Sequence, residues 1–182
     1  MKREGFIVIA ADLVCVSGTR VGGTDDELTI GGVDMSVIRH PVTKEPYLPG
    51  SSMKGRLRSQ LELQEGKPEE RSEEPCGCAD AKCVVCRLFG PHKAHGDNAR
   101  ERARTIGPTR IVVRDLSWVK PAGTEKMTLE LKTENIINRR TGAADAPRTS
   151  ERVPSGSRFK FEVSIQVLSE DAEFEFKGRK GA

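Results

Sequence analysis

Four cysteines fall within eleven positions, Cys76-Gly77-Cys78-Ala79-Asp80-Ala81-Lys82-Cys83-Val84-Val85-Cys86, as a C-x-C-x4-C-x2-C array. No other stretch restricts the chain so tightly. Four thiolates this close can close a tetrahedral shell round a zinc ion, and a shell of four protein sulfurs leaves no position open for a substrate, so the role is structural. Disulfides are the competing explanation, disfavoured in a cytoplasmic chain. His92 and His95 lie just beyond the array, and either can replace one sulfur. The CxxC also invites comparison with zinc deaminases, whose catalytic glutamate belongs to an H-x-E motif. The histidines read His40-Pro41-Val42, His92-Lys93-Ala94 and His95-Gly96-Asp97, which removes that class.

Upstream, residues Gln64 to Pro75 contain no apolar side chain except prolines and are expected to form an exposed, mobile connection. It joins the array to Leu48-Pro49-Gly50-Ser51-Ser52-Met53-Lys54-Gly55-Arg56-Leu57-Arg58. Pro49 and Gly50 break what precedes them, Ser51 or Ser52 can cap a helix, and Met53, Leu57 and Leu61 follow on one face. Lys54 and Arg58 share another face. A helix opening with free N–H groups, two hydroxyls and a cation one turn in is a ready phosphate site; an ordinary amphipathic helix with a solvated basic face gives the same pattern.

With 182 residues, 36% hydrophobic and 31% charged, the chain suits one domain, 1–182, with insertions and a sizeable core. A net charge of +3 leaves the choice of partner to local clusters. No apolar run approaches a membrane span and no signal-peptide core follows Met1, so the cytoplasm is expected. Phe6 to Val16 alternates and should be a strand, with Cys15 a buried small hydrophobe. Arg20 stands in a glycine-rich bend that could approach a nucleic-acid backbone or simply close a hairpin, and that matches neither Walker A nor GxGxxG. Asp34, among small and apolar residues of Ile30-Gly31-Gly32-Val33-Asp34-Met35, is expected on a loop, as a turn former or as a carboxylate held for chemistry. The polar, basic run from His92 to Arg104 is expected to be disordered without a ligand. Residues 127–153 read as a protruding hairpin carrying Arg139, Arg140 and Arg148, and Phe159 to Val167 alternates without a break.

Taken together, Gly31-Gly32-Val33-Asp34, Leu48 to Arg58, the cysteines ending in Cys86-Arg87-Leu88-Phe89-Gly90, Pro108-Thr109-Arg110-Ile111-Val112-Val113-Arg114-Asp115, and Lys132-Thr133-Glu134-Asn135 through Arg148 to Ser157 resemble the RAMP superfamily. The likeness is specifically to the repeated backbone subunit of type III CRISPR effector complexes. It implies an α+β fold: an RRM-like (ferredoxin-like) palm, a zinc-binding insertion at about 75–90 and a β-hairpin thumb at about 127–153. It implies guide RNA bound by Arg20, Ser51, Ser52, Lys54, Arg56, Arg58, Asn135, Arg139, Arg140 and Arg148, with the thumb pushing between bases. Complementary target RNA would be cleaved at Asp34 with a divalent metal, normally magnesium, leaving a 2′,3′-cyclic phosphate and a 5′-hydroxyl. Partners would be copies of the chain itself and other type III CRISPR effector subunits, with no membrane. A guide-RNA scaffold that does not cut, or a zinc-stabilised RNA-binding module unrelated to CRISPR, are the alternatives. Family members continue past the strand matching Phe159 to Val167 into a second helix and a last strand; here Phe174 to Ala182 follows, so both are expected to be missing or supplied by another chain.

Overall fold

The computed structural model describes residues 1–22, 35–67, 73–94, 96–172, 175–176 and 179–180. Asp34, the acidic run 25–27 and His95 lie outside the described residues. The chain sorts into two compact units, one of Met1–Ala10, Gly50–Arg114 and Glu162–Ala182, the other of Ala11–Pro49 and Asp115–Phe161.

The first unit is built on a three-stranded sheet in the order β1 (Arg3–Val14), β7 (Arg158–Leu168), β3 (Ile111–Val113), with β1 and β7 contributing residues to both units. The alternation expected for Phe159 to Val167 is what makes β7. Its Phe159 and Val163 are buried on one face, and β3 pairs antiparallel across it with Ile111 opposite Ile165 and Val113 opposite Val163. Branched and apolar side chains at every second position give that strand one dry face. α1 (Gly50–Gln64) packs against β3 and against α2 (Val84–Phe89). Val85, Cys86, Phe89, Ile106, Ile111, Val163 and Leu168 are among the buried apolar residues here. β1 differs: Phe6, Ile7, Val8 and Ile9 are all about half exposed or more, because no described element covers either face of that strand. The expectation of disorder over His92 to Arg104 is corrected by α3 (Ala99–Ile106), which buries Ala99 and Ile106 and leaves Arg100, Arg102 and Arg104 exposed. Two apolar anchors seven residues apart fit one helical face, a signal too sparse to read against four charged neighbours.

Arg110 is buried in this unit and fully engaged. Its guanidinium donates to the Ile106 and Pro108 carbonyls at 2.6 Å each and to the Asp171 carboxylate at 3.2 Å. Asp171 closes the 3-10 turn Ser169–Asp171 after β7, and Arg87 at the end of α2 also pairs with it. Beyond that turn the described chain holds one short strand pair, β8 (Glu175–Phe176) with β9 (Arg179–Lys180).

In the second unit β2 (Tyr47–Leu48) pairs antiparallel with β4 (Leu116–Ser117), over a core of Cys15, Val37, Leu48, Leu116, Val153 and Phe159. Cys15, expected to be a buried small hydrophobe, is buried just past the end of β1. β5 (Glu130–Ile137) and β6 (Ala144–Arg152) form a long antiparallel hairpin within the stretch read as 127–153. Its root is fastened by the Thr19–Val153 bridge and by Glu151, which accepts from the Val37 N–H at 3.2 Å and from Arg39 at 3.0 Å. Beyond Glu130 every residue of β5 is exposed.

Candidate nucleic-acid interface and metal centre

α1 opens where Gly50 meets the end of β3. A β-carbon on Gly50 would fall onto the Val113 carbonyl oxygen and within 2.7 Å of the Arg114 carbonyl. The helix starts there because only hydrogen fits. Its first turn contains no acidic residue, so nothing in the helix offsets the positive end of its dipole. Ser51, Ser52 and Arg56 are exposed, and Lys54 is half-buried in the next turn. Burial, then the nearby Arg58 charge, hold the Lys54 ammonium below its usual range. An anion at this end would offset both effects.

Arg58, grouped with these residues from sequence, faces inward. Its Nε donates to Glu62 Oε1 at 2.9 Å and its Nη2 to the Cys76 carbonyl at 2.7 Å. Glu62 is itself buried, and the same carboxylate oxygen accepts the Cys76 N–H at 2.9 Å. The ion pair therefore ties α1 to the start of the cysteine loop. Sequence reasoning had no signal for this, since Arg58 and Glu62 one turn apart look like an ordinary surface pair.

The four cysteines converge. Their Sγ atoms all lie within 4.8 Å of one another, with separations of 3.6 Å for Cys76–Cys78, 3.9 Å for Cys76–Cys83, 3.8 Å for Cys76–Cys86 and 3.7 Å for Cys78–Cys86. A tetrahedron with metal–sulfur bonds of about 2.3 Å has edges of about 3.75 Å. A disulfide needs about 2.05 Å, and all four are free thiols. The donor set and its spacing fit a metal ion such as zinc. His92 stands apart from the sulfurs, its ring 3.8 Å from Glu74. Cys83 precedes α2 and caps it, its sulfur accepting the Cys86 N–H at 3.5 Å. Hydrogen bonds from Cys86, helped by the Lys67 ammonium, outweigh burial and pull the Cys83 thiol down to about 4. The Cys86 thiol is pushed up, first by its bond to Cys83 and then by burial; burial leads in raising Cys76. Such a split is what closely spaced, mutually hydrogen-bonded thiols produce.

On the hairpin of the second unit, Asn135, Arg139, Arg140 and Arg148 are all exposed. The tip is set by Asn138, whose Oδ1 accepts the N–H groups of Arg140 at 2.9 Å and Thr141 at 3.2 Å, and by Gly142 at φ +70°. The ladder shifts register between Glu134 and Ile136, which leaves Asn135 out of the pairing. Ile136 and Ile137, 54% and 48% exposed, present apolar bulk beside these cations and were not singled out from sequence. Two adjacent isoleucines in a strand read as core, so the sequence carried no signal for their exposure. Arg20 is also exposed, one residue beyond the Thr19–Val153 bridge. No helix among the described residues is long and apolar enough to cross a membrane.

Comparison with known proteins places these features in a family. The chain is 38% identical over 192 aligned positions to the protein named "CRISPR system Cms endoribonuclease Csm3" of Methanothermobacter thermautotrophicus, covering 95% of this chain and 73% of that one. Its namesake in Methanocaldococcus jannaschii is 36% identical over 92% of this chain and 65% of its own length. That of Streptococcus thermophilus is 32% identical over 91% and 70%. The chain thus spans about two thirds to three quarters of the curated relatives it matches. The family model for the RAMP superfamily matches residues 12–180, and the chain therefore belongs to the RAMP superfamily.

Proposed function

We propose that this chain is a backbone subunit of a type III CRISPR interference complex that binds guide RNA and cleaves complementary target RNA. Its relatives are named CRISPR endoribonucleases. The observation that carries the reading in the structure is the open first turn of α1, where Ser51 and Ser52 are exposed, Lys54 is half-buried and no carboxylate intervenes. Donors of this kind hold phosphates without reading bases, as a subunit that accepts many guide sequences requires. Arg56 extends that track, while the hairpin, with Asn135, Arg139, Arg140, Arg148 and the apolar pair Ile136 and Ile137, is the thumb that enters between bases; Arg20 backs it. Arg58 serves the same surface indirectly, by fixing α1 to the cysteine loop.

The sheet of β1, β7 and β3 with α1 is the RRM-like palm, and Cys76, Cys78, Cys83 and Cys86 hold a structural zinc ion. When bound, zinc would supply rigidity to the insertion and no open coordination site. Asp34 is assigned as the catalytic carboxylate, acting with magnesium. Copies of the chain and other effector subunits are its partners, in the cytoplasm.

Purification of the chain with its complex, sequencing of the bound RNA, and replacement of Asp34 test this reading. Repeat-derived RNA should co-purify, and Asp34→Ala should leave assembly intact while target cleavage at the regular sites disappears. Co-purified RNA with cleavage unchanged in the variant would leave a scaffold; absence of any repeat-derived RNA would remove the CRISPR reading altogether.

A further inference from the structure

The four-cysteine centre has a fifth polar neighbour. Lys67 places its Nζ 3.0 Å from Cys83 Sγ and 3.3 Å from Cys78 Sγ. The sequence puts this lysine in a stretch of Gly, Pro and charged residues that reads as a featureless connection, yet its position is set by backbone geometry. Gly66, at φ +66°, donates its N–H to the Leu63 carbonyl at 3.2 Å, and Lys67 donates its own to the Glu62 carbonyl at 2.7 Å. Those two bonds, six-to-one and five-to-two, are a Schellman ending of α1. They fix the Lys67 α-carbon three residues past the end of α1, with the side chain half-buried and its ammonium on the sulfurs. Cys76, Cys83 and Cys86 are buried, whereas Cys78 is part exposed, so the ammonium sits on the edge of the shell that includes its most accessible sulfur.

From this geometry we infer that Lys67 is the shielding and positioning residue of the metal centre. Four thiolates round a divalent ion leave two negative charges, and N–H donors on sulfur are what lower the electron density there. Lys67 supplies one charge and two hydrogen bonds, to Cys83 and to the part-exposed Cys78. It thereby makes Cys78 and Cys83 poorer nucleophiles and holds the loop on α1. The inference rests on the metal reading given above.

The test uses the full chain with Lys67→Met, Lys67→Arg and, as a control, Lys82→Met, an exposed lysine inside the array. Zinc content is measured first, then the rate of alkylation of each cysteine by iodoacetamide, mapped by peptide mass spectrometry, and zinc release to a chromogenic chelator. Lys67→Met should retain one zinc, alkylate at Cys78 and Cys83 roughly tenfold faster, and release metal faster by a similar factor; Lys67→Arg should fall between it and wild type, and Lys82→Met should match wild type. In the cobalt(II)-loaded protein, the sulfur-to-metal charge-transfer band should move to lower energy in Lys67→Met, a shift that loss of packing alone would not produce. If Lys67→Met matches wild type in rates and spectrum, or if Lys82→Met accelerates equally, the role of Lys67 is overturned while the metal centre stands. If wild type itself carries no zinc, the metal reading falls and this inference with it. Should Lys67→Met prove insoluble, the Lys67→Arg rates and cobalt spectrum decide, since wild-type values there would also overturn it.

Discussion

At the scale of single residues, Gly50 and Asp171 bear the most weight. Because a β-carbon at Gly50 would overlap strand backbone, and neither the strand nor the helix end can yield without losing its own bonds, Gly50→Ala should cost about 2–3 kcal/mol in chemical denaturation. Asp171 concerns charge. Partial burial would push its carboxyl up, but the Leu168 N–H and the Arg110 and Arg87 guanidinium groups outweigh that and hold it below the ordinary 3.8. A carboxyl lowered on folding stabilises the native state above its ordinary value, and that stabilisation is lost as pH falls through the lowered one. Asp171→Asn should therefore cost about 2–3 kcal/mol at neutral pH by leaving buried Arg110 without its counter-charge. The gap from wild type should close in acid, as unfolding curves at several pH values would show. Neither residue announced itself in the sequence: Gly50 reads as a breaker before a helix, and Asp171 as one of several acids near the end of the chain.

At the scale of elements, α1 divides its cations between two duties. Arg56 is exposed, while Arg58 is spent on Glu62 and the Cys76 carbonyl. Arg56→Ala should weaken RNA binding with unfolding midpoint unchanged, and should shallow the dependence of log affinity on log salt by about 0.7–0.9, the loss of one phosphate contact. Arg58→Ala should instead lower the midpoint by several degrees and speed metal loss, measured by thermal denaturation and chelator competition, because it leaves Glu62 buried and half-paired. The sequence located a helix after Pro49, since breaking and i, i+4 signals are local, but α1 begins at Gly50, so Ser51 and Ser52 lie inside its first turn rather than capping it, and Met53, Leu57 and Leu61 are half-buried. It could not show that Arg58 turns inward, because that depends on Cys76, eighteen positions away, arriving at the same place. The same distinction explains the strands. β7 and the β5–β6 hairpin were legible from alternation and turn residues, whereas α3 and Lys67 depend on tertiary contacts and one left-handed glycine.

At the scale of the molecule, the cysteine loop does more than close on itself. It is stitched to α1 through Arg58 and Glu62, and from α2 onward to the lead of β3 through the Leu88 carbonyl, which accepts the Arg110 N–H at 3.0 Å and the Thr109 hydroxyl at 2.8 Å. Removal of the metal with a strong chelator should therefore lower the thermal midpoint of the first unit as a whole, and zinc re-addition should restore it. Differential scanning calorimetry with and without chelator would show it; an unchanged trace would mean the loop is held by its hydrogen bonds alone. The four cysteines were the plainest thing in the sequence, and their convergence follows from spacing. What spacing could not convey is how many elements lean on them.

α1 is clamped at both extremities and once between them: at Gly50 against strand carbonyls, midway by the inward Arg58, and past Gln64 by a left-handed turn. A rod so clamped cannot tilt to favour one visitor over another. What its first turn presents is a fixed arrangement of two hydroxyls and an ammonium.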